Sequence, residues 1–107
     1  MSDEDYGVAF HLIAAAGDSK SDSMNAIRAA REGNFEKAEE FLKSAEKKMN
    51  QAHEMQFDMI QQESSGNPVA VNIILVHAQD HLTMALVVKE MAVEIMELYK
   101  RIMEQKG

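Results

Sequence analysis

The feature that most constrains the fold is a long apolar segment over residues 68–105, in which apolar residues recur at heptad spacing along two adjacent lines. The first line is Ala70, Ile74, His77, His81, Met84, Val88, Met91, Ile95, Leu98 and Ile102. The second is Val71, Leu75, Ala78, Leu82, Ala85, Lys89, Ala92, Met96, Tyr99 and Met103. A helix with two apolar seams has more surface to bury than one antiparallel helix pair can cover. The pattern therefore predicts self-association through this helix.

Two further helices are predicted upstream. The first begins near Tyr6 and ends around Arg31, where Gly33 can adopt the left-handed conformation that closes a helix. Residues 17–23 have poor helix propensity, and the sequence leaves open whether they are helix or loop. The second helix has Asn34 as its N-cap, and a stripe of mostly small, apolar positions repeats at spacings of four and three. These positions are Ala38, Leu42, Ala45, Met49, Ala52, Gln56 and Met59.

The fold class follows from these segments and from the lack of strand signals. The chain has no Asn-Gly hairpin turn and no sustained alternation of apolar and polar residues. Residues 64–68 are the one clear linker, and Pro68 can open the third helix from its first turn. We expect an all-α, antiparallel three-helix bundle in a single domain over residues 1–107, with residues 1–5 as a disordered tail.

Composition excludes several classes of function. The 18 acidic against 11 basic side chains give a formal charge of −7, whereas nucleic-acid phosphates require clustered Lys and Arg. No cysteine is present, so the chain has no disulfide, no thiolate metal site and no thiol nucleophile. The start of the chain is acidic where a targeting signal is basic, and no apolar run approaches the roughly 20 residues of a membrane span. A cytoplasmic protein is expected.

A polar cluster interrupts the apolar third helix. At about 100° per residue, Asp80 lies about 60° to one side of His77 and His81 about 40° to the other, so the three share a face. Gln79 points nearly away from His77. Burying two imidazoles and a carboxylate among Ile, Leu and Val costs several kcal/mol unless they are paired, bound to a metal or solvated in a cleft.

Three interpretations of this cluster are open. The side chains can be hydrogen-bonded residues of the core. They can also bind zinc, because His-x-x-x-His has the correct spacing and His-x-x-Asp-His is similar to the inverted zinc-protease pattern, although a third ligand is not evident. Thirdly, a neutral imidazole keeps a lone pair that can attack phosphorus. No Gly-Lys-Ser/Thr motif is present to bind a nucleotide, so the phosphoryl donor would be another phosphoprotein.

The run Ile74-Leu75-Val76-His77-Ala78-Gln79-Asp80-His81-Leu82 closely resembles the active-site segment of the lactose/cellobiose (N,N'-diacetylchitobiose) type enzyme IIA of the bacterial phosphoenolpyruvate-dependent sugar phosphotransferase system. The resemblance extends over nearly the whole chain. It includes the turn Glu32-Gly33-Asn34-Phe35 and the run Asn50-Gln51-Ala52-His53, which fall in the expected order.

The resemblance implies a homotrimer of three-helix subunits, with the third helix at the threefold axis and His77 as the phosphorylated nucleophile. The phosphoryl group would come from the phosphohistidine of the carrier HPr and pass to a cysteine of enzyme IIB. Sugar import would occur through enzyme IIC, the only link to the membrane. The resemblance also matches Asp80 to an axial aspartate, where three copies would bind one structural Mg²⁺.

The roles of the neighbouring residues stay open in the sequence. Three converging carboxylates repel one another, and a hard dication with oxygen ligands neutralises them. Alternatively, Asp80 accepts a hydrogen bond from His77 and orients its ring. Gln79 could donate to phosphoryl oxygens on the His77 of another subunit, and His81 could support the phosphoryl group or fill the groove. A non-catalytic helical oligomer with a structural His/Asp metal site is the alternative function.

Overall fold

The structure, a computed structural model, describes residues 3–106. It contains three helices: α1 spans Asp3–Arg31, α2 spans Phe35–Ser64 and α3 spans Ile73–Lys106. Helices of 29 to 34 residues, joined by short connections in a molecule of 59 × 22 × 18 Å, must run up, down and up. No strand occurs among the described residues, and the predicted all-α three-helix fold is confirmed. Helix α1 packs against both partners, whereas α2 and α3 touch each other far less.

Helix α1 is continuous through residues 17–23, which the sequence had left undecided. Tertiary contacts compensate for the weak propensity of this stretch. The Ser19 hydroxyl is buried and donates to the Ala45 carbonyl on α2 at 2.8 Å. The Asp22 carboxylate accepts from the Ser44 hydroxyl at 2.6 Å and from the Lys48 ammonium at 2.8 Å. Serine and aspartate residues that weaken an isolated helix therefore join α1 to α2.

The start of α1 differs from the sequence prediction. The helix begins at Asp3 rather than near Tyr6, so residues 3–5 belong to it instead of forming a tail. No proline or glycine precedes Gly7, so nothing in the local sequence stops the backbone from continuing the helix toward the N-terminus. Residues 1 and 2 of the predicted tail lie outside the described residues.

The turn between α1 and α2 forms as the sequence predicts. Gly33 has a φ of +81°, in the left-handed region, and its N–H donates to the Ala30 carbonyl at 3.0 Å. Asn34 is the N-cap of α2, because its side-chain oxygen accepts from the Lys37 N–H at 3.1 Å. These two residues end one helix and begin the next within three positions.

The start of α3 was predicted incorrectly. The connection runs from residue 65 to residue 72, longer than the predicted linker, and α3 begins at Ile73 rather than at Pro68. The Asn72 side-chain oxygen accepts from the Ile74 N–H at 2.9 Å and from the Leu75 N–H at 3.0 Å. Proline offers a suitable φ but no acceptor for the free N–H groups of a first turn, so the asparagine determines where α3 starts.

The core is built mainly from alanine. Among the described residues, all the buried apolar side chains are alanines except Leu12, Met49, Leu82 and Met96. Small side chains let the three helices approach closely, but they bury little apolar area. The stripe predicted for α2 is confirmed at Ala38, Ala45, Met49 and Ala52.

Many of the larger apolar side chains of α3 lie outside this core. We call the following set the α3 outer stripe: Ile73, Val76, Met84, Val87, Met91, Leu98 and Ile102. All of them are exposed, Met91 by 53% and Leu98 by 58% of their surfaces. Measured as rotation about the axis of a regular helix, the residues of this stripe lie within about 40° of Asp80. No helix in the described range is long and apolar enough to cross a membrane.

Candidate functional site

Two of the predicted site residues, His77 and His81, pair with each other on the surface of α3. Their Nε2 atoms lie 3.0 Å apart, which is a hydrogen-bond distance. The ring centroids are 4.4 Å apart and the ring planes make an angle of 83°. His77 is exposed and His81 is half-buried. The four-residue spacing on one helix produces this contact, because such positions lie one above the other.

The hydrogen bond between the rings restricts where their protons lie. A hydrogen bond between two Nε2 atoms needs one protonated nitrogen and one free lone pair. When His81 donates, the lone pair on Nε2 of His77 accepts this hydrogen bond, and the proton of the His77 ring lies on Nδ1. Because the His77 ring is exposed, its Nε2 can act as a nucleophile toward an electrophile that arrives from solvent, once the lone pair is released from His81.

Asp80 is exposed and lies at the centre of the α3 outer stripe. It makes no hydrogen bond or ion pair with any residue of the described range, so it does not orient His77 within one protomer. The His77 ring is paired with His81 instead. Among the side chains that the structure describes, no group of three or more His, Cys, Asp or Glu could hold a metal ion. A metal at Asp80 would therefore need ligands from other copies of the chain.

Gln79 points away from the histidine pair, as its position on the helix predicts. Its side-chain oxygen accepts a 2.6 Å hydrogen bond from the Gln56 amide nitrogen on α2. Both side chains are half-buried. The sequence pattern predicts Gln56 only as a member of the core stripe of α2. The polarity of Gln56 among the alanines and methionines of that stripe was the signal that its side chain had a hydrogen-bond partner.

An open cavity of about 470 Å³ lies beside His81, on the side of the histidine pair that faces α1. Its lining consists of Gly17, Lys20, Ser21, Met24, Asn25, Arg28 and His81. Small residues on α1 therefore leave room next to the imidazole. Two of the lining side chains, Lys20 and Arg28, are basic, although the chain as a whole is acidic.

The other two histidines are not part of this arrangement. His11 is exposed on α1, and His53 lines a separate surface cavity on α2. Neither of them forms a hydrogen bond or ring contact with the pair on α3. A single protomer therefore brings together two imidazoles and no third zinc ligand among the described residues.

Comparison with known proteins supports a role in sugar transport. The family model described as "PTS system, Lactose/Cellobiose specific IIA subunit" matches residues 7–100. The lichenan-specific phosphotransferase enzyme IIA component of Bacillus subtilis is 41% identical over 107 residues, which cover 100% of this chain and 97% of the relative. The lactose-specific EIIA component of Staphylococcus epidermidis is 35% identical, over 92% of this chain and 95% of the relative.

Solved structures share the fold. The crystal structure of the cellobiose-specific enzyme IIA from Bacillus anthracis superposes with a TM-score of 0.94 at 37% identity, and covers 100% of this chain and 97% of its own. A chain from the solution structures of the IIA(chitobiose)–HPr complex of Escherichia coli has a TM-score of 0.81 at 28% identity. It covers 94% of this chain and 98% of its own.

Helical architecture, sequence and relatives together define a IIA component of the phosphotransferase system for sugars. The chain belongs to the lactose/cellobiose-specific IIA family, which matches most of its length. The resemblance stated from the His-Ala-Gln-Asp-His run is thereby confirmed.

Proposed function

We propose that this protein carries a phosphoryl group on His77 during sugar uptake. It accepts the group from the phosphohistidine of HPr and passes it to a cysteine of enzyme IIB, which serves a membrane enzyme IIC. The observation that supports this role best is the exposed His77 imidazole with a second imidazole 3.0 Å from its Nε2. A IIA relative of the same fold is known in complex with HPr.

The proposed step transfers the phosphoryl group between two imidazoles. The hydrogen bond from His81 breaks, the Nε2 lone pair of His77 attacks phosphorus, and the phosphorus–nitrogen bond of the donor breaks with its electrons returning to the donor ring. The N–H of His81, one turn along α3, then donates to a phosphoryl oxygen instead of to the His77 ring. In the next transfer, the cysteine thiolate of IIB attacks phosphorus. The phosphorus–nitrogen bond then breaks, with its electrons returning to the His77 ring.

We propose a homotrimer with the α3 outer stripe at the threefold axis. The alanine-rich core leaves this stripe uncovered in one protomer, and a contiguous exposed apolar surface of this kind marks an interaction site. In a parallel threefold arrangement, one flank of each α3 faces the opposite flank of its neighbour. On the helix, His77 lies about 60° to one side of the stripe and Gln79 about 100° to the other.

This arrangement supports a role for Gln79 in trans. Within its own protomer, Gln79 is held by Gln56 and faces away from His77. Across a threefold interface, the flank with Gln79 would face the neighbour's flank with His77. The two positions differ by about 3 Å along the helix axis, so they stand at nearly the same height. Gln79 would then donate to the phosphoryl oxygens of the neighbouring subunit.

Asp80 fits a structural Mg²⁺ site only in the trimer. It is exposed, unpaired in the described range and central in the outer stripe, so threefold symmetry would bring three carboxylates together. Carboxylate oxygens completed by water are ligands that Mg²⁺ accepts. The ion would neutralise carboxylates that otherwise repel one another across the axis.

Replacing Asp80 with leucine is expected to strengthen the trimer. Removing three converging charges and adding apolar surface should make association at least about tenfold tighter. Analytical ultracentrifugation across a dilution series measures this change. A chelator should lower the melting temperature of the wild type but leave Asp80→Leu unchanged. The control is Asp58→Leu, which removes an exposed carboxylate on α2.

Either of two results would contradict this assignment. Dissociation of Asp80→Leu to monomers would show that the carboxylate makes a favourable contact. If a chelator left the melting temperature of the wild-type trimer unchanged, no metal ion would stabilise the trimer, and the three carboxylates would not be neutralised by one.

The function itself is tested by labelling. The purified chain is incubated with HPr, its upstream kinase and labelled phosphoenolpyruvate. We expect a label that is stable in base and labile in acid, as phosphoramidates are, and that is discharged when enzyme IIB is added. A chain that takes up no label would instead fit the non-catalytic helical oligomer.

A further inference from the structure

We infer that Gln56 is a positioning residue that sets the orientation of the Gln79 amide. The inference rests on the proposed function, in which Gln79 donates to a phosphoryl group on the His77 of a neighbouring protomer. The observation behind it is the 2.6 Å hydrogen bond from the Gln56 Nε2 to the Gln79 Oε1. Through this hydrogen bond, Gln56 would act in phosphoryl transfer without touching the reacting atoms.

The orientation matters because the two ends of an amide have opposite hydrogen-bonding character. The oxygen accepts and the nitrogen donates, and an unrestrained glutamine can present either end. Phosphoryl oxygens carry negative charge and only accept, so the Gln79 nitrogen is the useful end. Gln56 occupies the Gln79 oxygen and thereby leaves the nitrogen free to donate.

The surroundings strengthen the bond between the two amides. Gln56 and Gln79 both line a cavity of about 280 Å³ between α2 and α3. Apolar side chains make up much of the rest of the lining, including Met59, Ile60 and Leu75. Neighbouring apolar groups reduce competition from water, so a hydrogen bond there restrains the side chains more than one in bulk solvent.

The position of Gln56 also suits this role. Gln56 lies on α2, and α2 packs beside the side of α3 that carries Gln79. The side of α3 that carries His77 faces away from α2. In the proposed trimer, Gln56 would therefore support the Gln79 that faces a neighbour's His77, and it would lie behind Gln79 as seen from the phosphoryl group.

Two substitutions at Gln56 test the direction of the hydrogen bond. In Gln56→Lys the ammonium still donates to the Gln79 oxygen, so the transfer rate at saturating HPr should stay within about threefold of wild type. In Gln56→Glu the carboxylate only accepts, which turns the Gln79 nitrogen inward. We expect the saturating rate to fall about 10- to 100-fold, the scale of one hydrogen bond to a charged group.

Charge and docking effects are controlled in the same series. Gln51→Lys and Gln51→Glu make the same charge changes at an exposed position of α2 and should leave the saturating rate unchanged. An effect on HPr docking would change the KM, whereas a positioning effect changes the saturating rate. Circular dichroism and sedimentation confirm that each variant keeps its fold and oligomeric state.

A double substitution separates positioning from other roles. Because Gln56 is inferred to act through Gln79, Gln56→Glu should cause no further loss in a Gln79→Leu background. Additive losses would overturn the inference, as would a Gln56→Glu variant as active as wild type. The opposite pattern, in which Glu is tolerated and Lys is not, would show that Gln79 donates to Gln56. Failure of the proposed function would appear separately, as a wild-type chain that takes no label.

Discussion

Replacing His77 with glutamine is expected to abolish phosphorylation of the chain by HPr. Glutamine is neutral, of similar length and able to hydrogen-bond with His81, but its amide nitrogen has no lone pair available for attack on phosphorus. We expect the label to fall by at least about a thousandfold, the range seen when a nucleophile is removed. Quantitative labelling from phosphoenolpyruvate measures the loss.

The controls follow from the exposure of the histidines. His77 is exposed, so circular dichroism and the sedimentation coefficient of His77→Gln should match the wild type. His11→Gln and His53→Gln should keep full labelling, because neither residue contacts the pair on α3. His81→Gln should slow labelling without abolishing it. Full labelling of His77→Gln, or its loss only in His81→Gln, would place the nucleophile elsewhere.

Replacing Met91 with glutamate is expected to convert the trimer to monomers. Met91 is 53% exposed in one protomer and lies in the α3 outer stripe, so the proposed assembly buries three copies of it near the axis. Three unpaired carboxylates there would each cost several kcal/mol. We expect association to weaken by at least about a thousandfold, measured by analytical ultracentrifugation.

Two matched variants show whether the charge at position 91 is the cause of dissociation. Met91→Leu keeps an apolar side chain and should remain trimeric, and Gln51→Glu adds the same charge on α2 and should also remain trimeric. The helix content of Met91→Glu should be unchanged, because Met91 lies outside the buried core. A Met91→Glu variant that stays trimeric would show that the stripe does not lie at the interface.

Much of the fold could be predicted from local signals. Gly33 and Asn34 mark the turn between α1 and α2 because their effects depend on one residue and its immediate neighbours. The α2 stripe follows from helical spacing alone. The prediction failed at Pro68, because a favourable φ at one residue was given more weight than a side-chain acceptor four residues later.

The candidate site was partly predictable for the same reason. The pairing of His77 with His81 depends on a spacing of four within one helix, and the sequence contains that spacing. The partner of Gln79 depends on how α2 lies against α3, and no spacing within α3 reports it. The polarity of Gln56 in an apolar stripe was a signal that some partner existed, but not which one.

The sequence by itself determined that three helices form, that α2 carries a core stripe of mostly small residues and that His77 and His81 share a face, because each depends on periodicity along one helix. Only the tertiary structure decided which of the two apolar lines of α3 became the core and which face remained uncovered. It also decided that Gln79 is held by Gln56. The physical reason is that packing depends on the relative rotation of whole helices, which many side chains on three helices fix together.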